Sequence, residues 1–155
     1  MITFNTLPKY ENIQELIQST FSVDFPISGD WGYNEKYPTV IHKVAKNMSL
    51  NQLEHTITSI RAHLEMNITQ EKGNRYGGIN ANEKSRKLIK QEDKYFDKVQ
   101  YEITAIDEDL YNAFIKEYKE GYETEGFDLT EHFTRRKAST LVREVVHYFE
   151  VSANK

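Results

Sequence analysis

Cysteine is absent from the chain. With no thiol there is no disulfide framework, thiolate zinc site, iron–sulfur cluster or cysteine nucleophile. Proline (3) and glycine (7) are scarce among 155 residues, and neither a Pro/Ser-rich linker nor an internal repeat divides them. No apolar run is long enough to predict a membrane span. A positive balance is lacking too: 20 Lys+Arg stand against 24 Asp+Glu, a net charge of −4, which disfavours bulk non-specific nucleic-acid binding. Residues 1–20 show no basic start followed by an apolar stretch, so they read as mature protein. Together with the missing cysteine, this leads us to expect a cytoplasmic location.

What is present suffices for a core. Leu, Ile, Val and Phe make up about 25% of the chain, above the range that signals disorder. The aromatic residues, 10 Tyr, 8 Phe and 1 Trp, need burial or a partner. Tyr suits a rim, where its ring is covered and its hydroxyl stays wet.

Periodicity gives the elements. Ile2 and Phe4 alternate with polar residues as in a short strand. Tyr10, Ile13, Leu16, Ile17 and Phe21 recur at helical spacing over 9–21. Val23, Phe25 and Ile27 alternate as in a strand, with Pro26 marking an edge or bulge. After the turn cluster 28–32, a second strand is expected over 37–46. Ser49 to Gln52 forms a capping box ahead of a helix over 50–66, whose apolar face is Leu50, Leu53, Ile57, Ile60 and Leu64. Lys98 to Ala105 alternates cleanly as a strand with one wet face. Asp107 caps a helix running to Tyr122, whose broad aromatic face is Leu110, Tyr111, Phe114, Ile115, Tyr118 and Tyr122, and Asp128 to Glu131 is a second capping box. Over 138–151 the apolar spacing fits a helix while the β-branched and aromatic content fits a strand; the reading is a helix from Leu129 to about Lys137, then a strand. From Asn67 to Lys94 the pattern fails. The segment reads as a charged, mobile loop, with a helix over 82–91 as its one candidate element. The expected fold is a single α+β domain over 1–155: two layers, mainly antiparallel sheet, with helices packed on one face.

Chemistry-bearing residues are scattered. Five histidines are present, but no His-x-His or His-Glu-x-x-His pair. His55 and His63, eight apart, sit about 80° apart around a helix. No metal or cofactor is therefore expected. The glycine pairs at 29–32 and 73–78 lack the Lys-Ser/Thr of a phosphate loop and read as turns. No Gly-x-Ser-x-Gly elbow exists. A weak catalytic set would be His63, Glu65 and His132, in a His-carboxylate hydrolase.

The more suggestive features are surface-like. Phe25, Trp31, Tyr33 and Tyr37 cluster around a turn, as rings do in contact patches and ligand walls; alternatively Trp31 folds back as a plug. Residues 101–131 hold ten acidic residues against Lys116 and Lys119, while 70–98 hold eight basic residues against five acidic ones. Arg135 and Arg136 offer a grip for a phosphate or carboxylate. The reading is a non-catalytic binding protein, of antagonist or accessory type, that meets a protein partner or a second copy of itself. The alternative is the hydrolase, or a small-ligand-binding protein. A third reading is a nucleic-acid binder working through 75–98, which the net acidity opposes.

Overall fold

The computed structural model describes residues 6–155; the strand expected at Ile2 and Phe4 lies outside the described residues. Four helices, α1 (Ile13–Phe21), α2 (Leu50–His63), α3 (Glu108–Gly121) and α4 (Leu129–Ala138), accompany five strands. The strands are β1 (Ile27–Gly29), β2 (Thr39–Ile41), β3 (Tyr76–Gln91), β4 (Lys94–Asp107) and β5 (Leu141–Glu150). They form one sheet in the order β1-β2-β5-β4-β3. The fold is thus α+β with a mixed sheet: β2 and β5 pair in parallel and the other neighbours are antiparallel.

The helix starts follow from their caps. Asn12, Ser49, Asp107 and Asp128 each accept a bond from the backbone N–H three residues on, satisfying a donor the helix leaves open. The α1 and α2 stripes then bury against the sheet. Ile13, Ile17, Leu53, Ile57 and Ile60 join Val99, Tyr101, Ile103 and Ala105 of β4 and Phe149 of β5 in one core. Each such side chain contributes about 1.5–3 kcal/mol on leaving water. Beyond His63, α2 widens into a π turn over Leu64–Ile68, closed by Thr69 N–H to Leu64 O.

The segment read as a loop is corrected by the structure. Residues 76–91 form the longest strand, and the helix expected over 82–91 is part of it. The reason is the ladder. β3 registers with β4 almost throughout, from Tyr76 opposite Asp107 to Gln91 opposite Lys94. As an edge strand it leaves most of 82–91 in water, so alternation is hidden under charge. Lys84, Lys87 and Lys90 along such an edge discourage pairing with another chain. The register slips between Gly77 and Asn80, where Gly78 sits at φ +58 and the Tyr111 ring packs so closely that a Cβ would lie 2.7 Å from it.

A second, smaller apolar group forms outside the main core. Phe114 of α3 packs edge-on against His132 of α4 at 5.7 Å, and Phe127 from the connecting loop lies 5.8 Å from the same ring. This fastens α4 to α3. Among the described residues, no helix is long and apolar enough to cross a membrane.

Candidate functional site

Several residues singled out in the sequence meet inside the molecule. Trp31 is only 1% exposed and plugs the core; its carbonyl accepts from the buried Arg61, which also donates to Val146 O at 3.0 Å. The Arg61 guanidinium lies 4.6 Å from the Tyr33 ring. Burial lowers its pKa from the usual value. The Tyr33 hydroxyl donates to Glu65 at 2.5 Å and accepts from Leu7 N–H, and Arg143 reaches the other Glu65 oxygen at 3.2 Å. Burial, then the adjacent Glu65, push the Tyr33 phenol well above its ordinary range. Phe25 packs half-buried against the core, while Tyr37 remains 51% exposed. The four rings therefore do not share one open patch.

His147 is the histidine at the centre of this interior. Thr39 Oγ1 donates to Asp30 O, so it accepts from His147 Nε2 at 2.9 Å; Thr58 then donates to Nδ1 at 3.0 Å. This arrangement fixes a neutral ring, and full burial holds its pKa well below 6.5. It stacks on Phe149 at 4.0 Å. Sequence reasoning did not reach it, because its partners lie 89 and 108 residues away.

The weak catalytic candidates have separate partners. His63 Nδ1 donates to Ser59 O. Glu65 serves Tyr33 and Arg143. His132 is buried and bonds Glu117. Among the described residues, no three His, Asp or Glu side chains gather as a metal ion would require.

A carboxylate cluster stands beside the hairpin. Arg86 of β3 donates to Glu83 at 2.6 Å and to Glu54 at 3.1 Å, with Asp97 at 3.6 Å. One cation thus answers three acids. Burial first, and Asp97 second, push the Glu54 carboxyl up to about 8 against the pull of Arg86. Other cations of the 75–98 region are similarly engaged: Lys84 with Glu102, Lys94 with Glu150, and Lys90 and Lys98 over Tyr95 and Tyr148.

The outward-facing feature of most interest lies on α3 and α4. Tyr122 is 60% exposed, Phe133 46% and Leu129 44%. The half-buried Tyr118 joins them, 5.5 Å from the Tyr122 ring and 6.1 Å from Phe133. Leu129 and Phe133, one turn apart on α4, face the same way. Glu120, Glu123 and Glu125 stand exposed around the α3 end of this surface. On its other side the Arg pair divides. Arg135 bonds Glu117 and Glu131, and with His132 it draws the Glu117 pKa down. Arg136 instead lies over Tyr111 and Phe133, at 5.6 and 5.9 Å. Tyr118 and Tyr122 belonged to the aromatic face read from α3, but their exposure depends on where α4 stops covering it.

No protein-family model, curated protein or solved structure matches this chain.

Proposed function

We propose that the protein is a small binding protein that docks a basic protein partner on the α3–α4 surface. The observation that carries this reading is the coincidence of exposed rings with acid. Tyr118, Tyr122, Leu129 and Phe133 form an apolar centre, and Glu120, Glu123 and Glu125 stand exposed at the α3 end of it. Interfaces place aromatic anchors at the centre and polar groups at the rim. A carboxylate rim favours a cationic partner and steers its approach. It also argues against a two-fold homodimer on this face, since each copy would set its own acids against the same acids.

The test is affinity capture on the immobilised full chain, with each captured protein identified, purified and titrated. The expected partner is net basic. Its affinity falls about tenfold or more for a Tyr122→Ser/Leu129→Ser double variant, a loss of about 1.4 kcal/mol. It also falls for Glu123→Gln/Glu125→Gln and as salt rises from about 0.05 M to about 0.5 M, where exposed charges are screened. A partner that is acidic, or one whose affinity is indifferent to both variants and to salt, overturns the proposal. Self-association lost in the Tyr122→Ser/Leu129→Ser variant would overturn it in favour of a homodimer.

A further inference from the structure

We infer that the cleft behind the register slip of β3 is a binding site for a small organic phosphate, adjoining the docking surface where Arg136 lies over Phe133. The cleft encloses about 440 Å³ between the end of α2, the β3–β4 bulge, α3 and α4. That is within the range of small-molecule sites, about 300–1,000 Å³. Its functional wall is His63, Asn80, Thr104, Tyr111, Arg136 and Thr140. In a chain with 24 acidic residues, not one carboxylate lines it.

Arg136 is the anchor. Arg135 beside it is spent on Glu117 and Glu131. Arg136 makes ring contacts with Tyr111 and Phe133 and ion-pairs with no carboxylate among the described residues. The two rings flank the guanidinium without using its N–H groups, and a guanidinium can take a phosphate with two parallel bonds. His63 is oriented by its bond to Ser59 O, so Nδ1 carries the proton and Nε2 stays uncommitted. Nε2 accepts from a hydroxyl when the ring is neutral and donates to an anion when it is charged.

Polar groups opposite can read the rest of the ligand. Thr140 Oγ1 donates to Arg136 O and keeps its lone pairs. Asn80 spends one N–H on Gly78 O and retains its carbonyl oxygen. Thr104 lies directly opposite Asn80 in the ladder. The bulge is what makes the room. Bulges recur beside functional sites, where they re-aim side chains, and here only glycine at 77 and 78 lets Tyr111 lie against the strand. Anion, hydroxyl acceptors and limited volume together specify a phosphomonoester carrying neighbouring hydroxyls.

The experiment titrates the full chain with glycerol 3-phosphate, inorganic phosphate and glycerol, read by calorimetry and by backbone amide NMR shifts. Expected is saturable binding of glycerol 3-phosphate tighter than about 1 mM, with inorganic phosphate weaker and glycerol silent. The shifts should centre on Gly78, Thr104 and Thr140. Arg136→Gln should weaken binding at least about tenfold, Arg136→Lys less, and Arg135→Gln should leave it unchanged. The proposal is overturned if wild type gives no saturable shifts, if the shifts lie elsewhere, if a folded Arg136→Gln binds as well as wild type, or if glycerol binds equally. Should Arg136→Gln fail to fold, the wild-type shift map decides. None of these readouts depends on Tyr122 or Leu129, so failure here leaves the docking surface untouched, and the reverse.

Discussion

Replacing Glu54 by glutamine should change how stability depends on pH. The Glu54 side chain is fully buried on α2, with Oε1 bonded to Arg86 and Oε2 without a partner. Its carboxyl has an ordinary value of 4.5 when unfolded and about 8 when folded. A group whose folded value is raised supports the fold below the unfolded value, and that support drains as pH climbs to the folded value. The slope is about 1.4 kcal/mol per pH unit. His147 acts with the opposite sign. Its folded value lies well below 6.5, so it weakens the fold as pH falls beneath 6.5. Below pH 6.5 the two therefore oppose each other. Between pH 6.5 and 8 Glu54 acts without that opposition, and the wild type should lose up to about 2 kcal/mol. This figure is a ceiling, because the buried carboxyl also feels Arg86, which pulls its value back down.

The Glu54→Gln variant keeps the shape and an acceptor for Arg86 but cannot ionise. Its curve should therefore rise to pH 6.5 and then stay level. Urea unfolding at half-unit pH steps, followed by the fluorescence of the single buried Trp31, reads both curves. Equal losses in wild type and Glu54→Gln between pH 6.5 and 8 would refute the assignment of that slope to Glu54.

Two further substitutions test the interior. Gly32→Ala places a Cβ 2.3 Å from the His147 ring at a backbone φ of +75; urea midpoints should show a loss of about 3 kcal/mol from overpacking and strain together. Glu65→Leu strands the Tyr33 hydroxyl and takes a carboxylate from Arg143; an unfolding titration should show a loss of about 3–5 kcal/mol, whereas a stabilising outcome would mean the network is dispensable.

The readable parts of the sequence were those where local chemistry decides. Ser49, Asp107 and Asp128 mark helix starts because a side-chain oxygen meets an amide three residues away. β4 was legible because one face is buried and the other wet along Val99 to Ala105. β5, where spacing and propensity disagreed, is a strand because it sits between two others. β3 was hidden because its pairing partner, not its own pattern, makes it extended. The interior of Arg61, Tyr33, Glu65, Arg143 and His147 was hidden for a related reason: it assembles residues from distant parts of the chain, and no spacing rule spans them. Of the residues proposed for binding, Arg136 reaches a cleft while Arg135 is neutralised one position away. Which of two adjacent arginines is free depends on where Glu117 falls on the neighbouring helix.

The position of β5 has a consequence for synthesis. It is the last strand made, yet it lies in the middle of the sheet. A ribosome that has delivered both hairpins still holds back the piece that joins them. Until residues 141–150 emerge, the nascent molecule is two half-sheets, each with a bare edge that another chain can capture. Maturation therefore waits on a late insertion, and during that interval the protein most needs a chaperone's shelter.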